Sequence, residues 1–510
     1  MNSVYDQISP QFNVASYFLE RNLKNIPDKI AIFYKEQQIS FAELYSNVRK
    51  MATLLKRSHI DWENRICIYL PDSPAFVYAF WGAIWIGAVP VAINVASKVS
   101  DVEYILADSR AKMLITTKAG YDRLTQRSTP FLKQVLLIDD SPSLEETLSQ
   151  MPEDPQVAST SRDDVAFWLY TSGSTGRPKG VIHLHHDMVV CAENYANNVI
   201  QLNEQDIIYS VAKMPFAYGL GNSLYFPLYV GASVVLSDAE NVFEVIDDVH
   251  HYQPTVFFGL PFIYSNILAV EEIASFRPDS VRLFISAAEQ LPPSIWHKWH
   301  QRYEKKICEG IGTTELLHIF LSNTPNDCKP GSTGKPVPGY EIRLLDAEGN
   351  EVPPNEVGDL VVTGESLMQG YWNRHMETRE AIFGESMKTG DRYLKDEEGY
   401  YYFVGRKDDC FKVNGQWIIP FEIEDVLLQH DDLIDAAVVP EKDDQGLARV
   451  IAYVSLKSHR EKSSDLEKEL RQFLRSKLPS YKIPQHFYVL KELPRTSTNK
   501  IDRKKLLIDK

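Results

Sequence analysis

Short apolar runs rich in valine, isoleucine, leucine and phenylalanine recur at residues 66–70, 89–93, 113–115, 134–138, 165–170, 207–210, 233–236, 255–259 and 282–286. Between many of them lie stretches with apolar residues three and four apart. Strand-like and helix-like periods therefore alternate, the signature of an α/β fold. Ahead of these runs, 30–34 and 38–39 predict a hairpin. Ser40 with Glu43 then reads as a capping box opening an amphipathic helix whose inner face is Phe41, Leu44, Val48, Met51 and Leu55. The charge-free stretch 73–97 is long enough to span a bilayer. Gly87, Pro90 and Asn94 interrupt it, and it reads instead as a buried helix over 75–86, a turn, and a strand over 89–93.

After about Gly331 the pattern changes to short strands with glycine turns, at 341–345, 358–363 and 400–404, which predicts a smaller β subdomain. Beyond Arg406 comes a compact mixture: a helix from Pro420, strands over 436–439 and 450–456, and a helix capped by Ser464 and Glu467 with Leu466, Leu470, Phe473 and Leu474 inward. The fold class expected is α/β: a large N-terminal domain of layered α/β sheets plus a β subdomain over 1–407, and a small mobile α+β C-terminal domain over 408–510. No internal repeat is visible.

A length of 510 residues is too great for one core, and 44% hydrophobic with 24% charged residues is ordinary for a soluble globular chain. The formal net charge of −15 gives no footprint for nucleic acid or an anionic membrane, so an anionic ligand must meet a locally basic site. Five cysteines without C-x-x-C spacing indicate neither zinc nor a disulfide framework. Residues 1–12 lack the basic start and apolar core of a cleavable signal. Together these point to the cytoplasm.

Candidate chemistry begins in 170–180, Tyr-Thr-Ser-Gly-Ser-Thr-Gly-Arg-Pro-Lys-Gly. Hydroxyls of Thr171, Ser172, Ser174 and Thr175, backbone N–H groups left open by Gly173, Gly176 and Gly180, and the cation of Lys179 can surround a phosphate. It follows the apolar run 165–170, so the loop is expected at a strand end, where open α/β sheets collect ligands. It is not a Walker loop, because Pro178 stands where that motif needs its second glycine. The plain alternative is an exposed Gly/Ser turn.

In 310–315, Gly-Ile-Gly-Thr-Thr-Glu, the Thr314 hydroxyl suits an α-phosphate and Glu315 offers the hard oxygen that Mg²⁺ takes beside phosphate oxygens. Asp391 in Lys-Thr-Gly-Asp can accept from both hydroxyls of a ribose, and Arg406 offers a donor fork. Residues 494–501, Pro-Arg-Thr-Ser-Thr-Asn-Lys-Ile, present Lys500, whose default reading is a frayed tail lysine.

These segments, in this order over nearly the whole chain, resemble the adenylate-forming acyl-CoA synthetase superfamily. Residues 13–22, 216–222, 315–323 and 412–422 further resemble benzoate-type aryl-CoA ligases. The resemblance implies ATP, Mg²⁺ and coenzyme A, attack of a carboxylate on the α-phosphate, and rotation of the C-terminal domain about Asp408 before a thiol takes the acyl group. It assigns Lys500, Thr314 and Glu315 to catalysis, with Glu315 also the metal ligand. Nucleotide contacts fall to 171–176, Lys179, Ala288, Glu289, Gly310, Ile311, Gly312, Thr313, Asp391, Phe403 and Arg406. The acid pocket falls to Ala217, Tyr218, Gly310, Ile311 and His318.

Two positions depart from the pattern: Asn499 replaces the usual glycine before the lysine, and Ala288 stands where glycine is common, which puts substrate size in question. Three other outcomes stay open: a stand-alone enzyme loading the phosphopantetheine thiol of an acyl carrier protein, a luciferase-like oxidase, and a silent binding protein. Retention of Lys500, Glu315 and Asp391 argues against the last. Which acid is used is not legible in the sequence, and oligomeric state is open, a homodimer included.

Overall fold

A computed structural model describes residues 3–153, 156–171, 177–269, 276–406, 409–413, 416–442, 448–457, 465–496 and 500–508. Among them the expected α/β alternation builds two large sheets. In the first, parallel strands Gln134–Leu137, Met113–Thr116, Arg65–Tyr69, Val89–Ala92 and Val165–Thr171 lie side by side, and Lys179–Leu184 and Gly370–Tyr371 add antiparallel strands at one edge. In the second, Ser233–Val235, Ile207–Ser210, Val256–Gly259, Leu283–Ser286 and Ile307–Gly312 form a parallel centre. The hairpin Ile30–Tyr34/Gln37–Ser40 flanks one side and Ile319–Ser322 the other.

Helix Phe41–Arg57 carries the expected capping box, and its buried residues include all five of the inner face named above. Helix Pro74–Trp85 is buried at every position, which accounts for the absence of charge in that stretch. A Cβ on its Gly82 would lie 3.0 Å from Met51 Cγ, so glycine lets the two helices approach closely. Each large aliphatic side chain so buried contributes roughly 1.5–3 kcal/mol. Among the described residues no helix is long and apolar enough to cross a membrane.

The β subdomain is an antiparallel sheet of Tyr340–Leu345, Val357–Gly364, Ser386–Lys395, Ile382–Phe383 and Tyr401–Arg406. The C-terminal unit folds helix Pro420–Leu428 and helix Leu466–Arg475 against strands Leu433–Lys442, Ala448–Leu456 and His486–Leu490. Helix Leu466–Arg475 departs from expectation at its start. Its N-cap is Asp465, which makes no side-chain cap bond, and Ser464 lies outside the described residues. Leu466, Leu470 and Leu474 are buried as expected, whereas Phe473 is only half-buried and meets the His430 ring edge-on at 5.1 Å.

The C-terminal unit is not isolated from the large domain. Apolar contact runs from Trp296 and Trp299 through Ile423 and Leu427 to Leu470. Polar bonds reinforce it: Ser265 donates to the Ile434 carbonyl at 2.8 Å, and Lys298 to that of Leu428 at 3.0 Å.

Candidate active site

The strands on either side of the hydroxyl-rich segment pair with one another. Val165–Thr171 and Lys179–Leu184 pair antiparallel, with Thr171 opposite Lys179 and Leu169 opposite Val181. Alternation explains this: Val181 and His183 point inward and are fully buried, so 179–184 has the period of a half-buried strand. Lys179 is therefore anchored on a strand, not on a flexible segment, and its Nζ lies 4.1 Å from the centroid of the Tyr371 ring. Ser172, Gly173, Ser174, Thr175 and Gly176 lie outside the described residues.

Strand Ile307–Gly312 leads into a single 3₁₀ turn, Thr314–Leu316. Glycine is required at Gly312, where a Cβ would lie 2.3 Å from the His318 carbonyl oxygen, and Gly310 packs against Ile319. Ile311 is half-buried beside them. Thr313 uses its hydroxyl as the turn's N-cap, accepting from Leu316 N–H at 3.3 Å. Glu315 Oε1 accepts from the Tyr371 hydroxyl at 2.7 Å. Burial first, then the Glu315 carboxylate, raise the Tyr371 phenol pKa, so it remains a donor.

Asp391 and Arg406 are direct cross-strand partners, with Arg406 Nε 3.4 Å from Asp391 Oδ1. Burial raises the Asp391 pKa and the guanidinium opposes the rise. Phe403, on the same strand as Arg406, sets its ring edge-on to Tyr393 at 5.5 Å.

Lys500 comes to this group from the far end of the chain. Its turn is closed by Thr496 N–H to the Lys500 carbonyl at 2.8 Å and Lys500 N–H to Thr496 Oγ1 at 3.2 Å; Asn499 lies outside the described residues. The body meets the turn through Glu289, whose Oε1 accepts from Ile501 N–H at 3.1 Å and whose Oε2 is 4.0 Å from Arg495 Nη1. Lys500 keeps contact with solvent, yet protein crowding its ammonium lowers its pKa. Glu289 opposes that shift, Arg406 adds to it, and Asp391 and Glu315 oppose it. The structure thus brings Lys500 within electrostatic reach of Glu289, Arg406, Asp391 and Glu315. Preceding Glu289, Ala288 adopts φ +73°, the left-handed region that favours glycine.

Behind the turn lies an aromatic enclosure. The His318 ring centroid is 4.5 Å from that of Phe226, 5.4 Å from Tyr195 and 5.6 Å from Tyr218. Burial pushes the His318 pKa down to about 3, so the imidazole is neutral. Its Nε2 faces the Tyr218 carbonyl and Asn222 Oδ1, both at 3.3 Å and both acceptors, which places the proton on Nε2. Tyr218 donates to the Gly259 carbonyl at 3.3 Å, and Ala217 is buried beside it. A Cβ on Gly221 would meet His318 Cδ2 at 2.4 Å, so glycine admits the ring.

Residues 19–372 match the AMP-binding enzyme family and residues 422–500 the AMP-binding enzyme C-terminal domain. The chain belongs to this family of adenylate-forming enzymes. It is similar to the 4-hydroxybenzoate–CoA/benzoate–CoA ligase of Rhodopseudomonas palustris, 36% identical over 96% of this chain and 93% of that one. It is also similar to the anthranilate–CoA ligase of Pseudomonas aeruginosa, 34% identical over 94% of this chain and 93% of that one. A solved anthranilate CoA ligase in complex with anthranoyl-AMP superposes with a TM-score of 0.95 at 34% identity, covering 98% of both chains. Within the family this chain is an AMP-forming acid–thiol ligase of the aryl-CoA ligase type.

Sequence reasoning missed Tyr371 as the partner of Glu315, and Asn222 and Phe226 as the surroundings of His318. Asn222 lies inside the stretch 216–222 that carried the resemblance; Tyr371 had no local signal at all. Glu289 was expected at the nucleotide, and the structure shows it gripping the Lys500 turn.

Proposed function

We propose that this chain activates an aromatic carboxylic acid with ATP and transfers the acyl group to coenzyme A. The carboxylate oxygen attacks the α-phosphorus, pyrophosphate leaves, and an acyl-adenylate forms. The coenzyme A thiolate then attacks the acyl carbonyl, and AMP leaves with the carbon–oxygen bond's electron pair. Lys500 stabilises the negative charge that grows on the α-phosphate, the kind of preorganised electrostatic contact that usually supplies the largest share of rate. The Thr314 hydroxyl, with no partner among the described residues, contacts the same phosphate.

Glu315 suits Mg²⁺: Oε1 is oriented by Tyr371, and Oε2 has no partner among the described residues. One carboxylate with phosphate oxygens is a donor set that Mg²⁺ takes. Bound there, Mg²⁺ would neutralise phosphate charge. Asp391 accepts from the ribose hydroxyls and Arg406 closes over them. Ala217, Tyr218, Gly310, Ile311 and His318 shape a flat slot for a ring.

The observation that carries this reading is the docking of the late-sequence Lys500 segment on Glu289 of the body, through Ile501 N–H at 3.1 Å, within electrostatic reach of Glu315, Asp391 and Arg406. ATP–pyrophosphate exchange across benzoate, hydroxybenzoates, aminobenzoates and short aliphatic acids tests it, followed by thioester assays with coenzyme A and with a phosphopantetheinylated carrier protein in separate arms. Exchange should be fastest with an aryl acid and thioester should form with coenzyme A. Exchange with no acid, or with aliphatic acids alone, would reject the aromatic reading; thioester only with the carrier would replace the acceptor.

A further inference from the structure

The Thr314–Leu316 turn is held at each of its three carbonyls from outside. His183 Nε2 lies 2.8 Å from the Thr314 oxygen, Met368 N–H donates to that of Glu315 at 2.8 Å, and the Ser366 hydroxyl to that of Leu316 at 2.8 Å. The His183 contact is unlike the other two because it leads to a buried carboxylate, whereas Ser366 leads to the neutral Tyr340 hydroxyl at 2.7 Å. His183 Nδ1 is 2.7 Å from Asp187 Oδ2, which also accepts from Leu184 N–H at 3.0 Å. Both side chains are fully buried, and the Phe167 ring stacks on the imidazole at 5.2 Å. Asp187 Oδ1 is 3.1 Å from His186 Nε2, within ion-pair distance but out of line for a hydrogen bond.

A carboxylate and a peptide carbonyl are both acceptors, so the two imidazole contacts form together only when a proton lies on each N···O line. The imidazole is thereby fixed at both ends, with its ring plane set by Phe167. A hydrogen bond drawn through a charged partner is shorter and about twice as strong as a neutral one. A pair buried so completely is costly to desolvate, and core packing could be met by apolar residues of the same volume. What apolar residues could not do is orient the peptide between Thr314 and Glu315.

We infer that His183 and Asp187 are positioning residues that hold the Thr314 carbonyl and so aim the Thr314 hydroxyl and the Glu315 carboxylate at ATP·Mg²⁺. The inference rests on the proposed roles of Thr314 and Glu315. It extends the site to two residues that touch neither nucleotide nor acid. Strand Lys179–Leu184 carries the phosphate hairpin's Lys179 at one end and His183 near the other, so a single strand sets both sides of the phosphate site.

The test uses the full chain with His183→Gln, which cannot keep both bonds in line, and Asp187→Asn, which is isosteric and retains an acceptor for the imidazole. Calorimetric titration with ATP and Mg²⁺ in the absence of acid should weaken about tenfold in His183→Gln and by a smaller factor in Asp187→Asn. In pyrophosphate exchange, KM for ATP and the Mg²⁺ requirement should rise in parallel while KM for the acid stays within about twofold. Unchanged ATP·Mg²⁺ affinity in both variants, with only a lowered melting temperature, would overturn the inference, as would an equal rise in KM for ATP and acid. A wild-type chain that binds ATP·Mg²⁺ but exchanges with no acid would defeat the proposed function alone, since the calorimetry still reads the positioning. A wild type that binds no ATP·Mg²⁺ would defeat both.

Discussion

The turn that carries Glu315 and the turn that carries Lys500 come within electrostatic reach of one another, and they are held in opposite ways. Every carbonyl of Thr314–Leu316 is taken up by a buried group, one on strand Lys179–Leu184 and two on the segment 366–368, and its carboxylate is held by Tyr371. The Lys500 turn closes on its own backbone and touches the body through Glu289 and through Arg495, whose guanidinium lies 5.0 Å from the Phe262 ring centroid while pairing with Asp435 of its own unit. Charge contacts of that kind contribute about 1 kcal/mol or less each. Under the proposed two-step reaction the first would stay in place and the second would be released. A reaction with two chemical steps at one carbonyl needs both: a fixed phosphate site, and a cation that can withdraw so that a thiol can enter.

The contrast breaks most sharply at Lys500. Lys500→Ala should slow adenylate formation by about a thousandfold, while ATP affinity changes by less than about threefold, because the lost ammonium acts on charge that develops in the transition state. Exchange kinetics and calorimetry measure the two quantities; near-normal exchange would remove Lys500 from the chemistry. The next test concerns release. Asp408 lies outside the described residues, but proline there should restrict the φ/ψ change a hinge requires. Thioester formation in Asp408→Pro should fall about a hundredfold with exchange within about threefold. Equal losses in both assays would argue against a hinge.

On the fixed side, Gly221→Ala places a methyl 2.4 Å from His318 Cδ2 and must displace the ring. KM for the acid should rise about tenfold with KM for ATP unchanged, a separation that follows from the distance between ring slot and nucleotide. Unchanged acid kinetics would take His318 out of the pocket.

The smallest effect is expected in the charges behind the Lys500 turn. Burial raises the Asp435 pKa to about 6, with Arg495 opposing the rise. As pH falls through about 6 the folded protein takes up this proton while an unfolded Asp435 stays ionised, so stability from this group increases on acidification. The partner of Arg495 is neutralised over the same window. Exchange should therefore decline a few-fold from about pH 7 to about pH 5, and Asp435→Asn should flatten that limb and give the lower rate throughout. A limb of the same height in Asp435→Asn would assign it to another group.

Much of the molecule was legible in the order of its residues because the determinants are local. The period of Phe41, Leu44, Val48, Met51 and Leu55 with a capping box specifies a helix without reference to anything else. The motif segments name the chemistry because each packs its reactive groups into a few consecutive residues. What failed locally failed for stated reasons: the segment 171–180 reads as a loop until Lys179–Leu184 is seen to need a strand partner for its inward-pointing Val181 and His183.

The supports of the site were decided only by the tertiary structure. Tyr371 reaches Glu315 from 56 residues away, His183 reaches Thr314 from 131, and Glu289 meets Ile501 from 212. A side chain's own neighbours in sequence fix its chemistry and its local backbone. Which carbonyl or carboxylate it will meet across such separations depends on how sheets and helices stack, and that is settled by the burial of the whole apolar core.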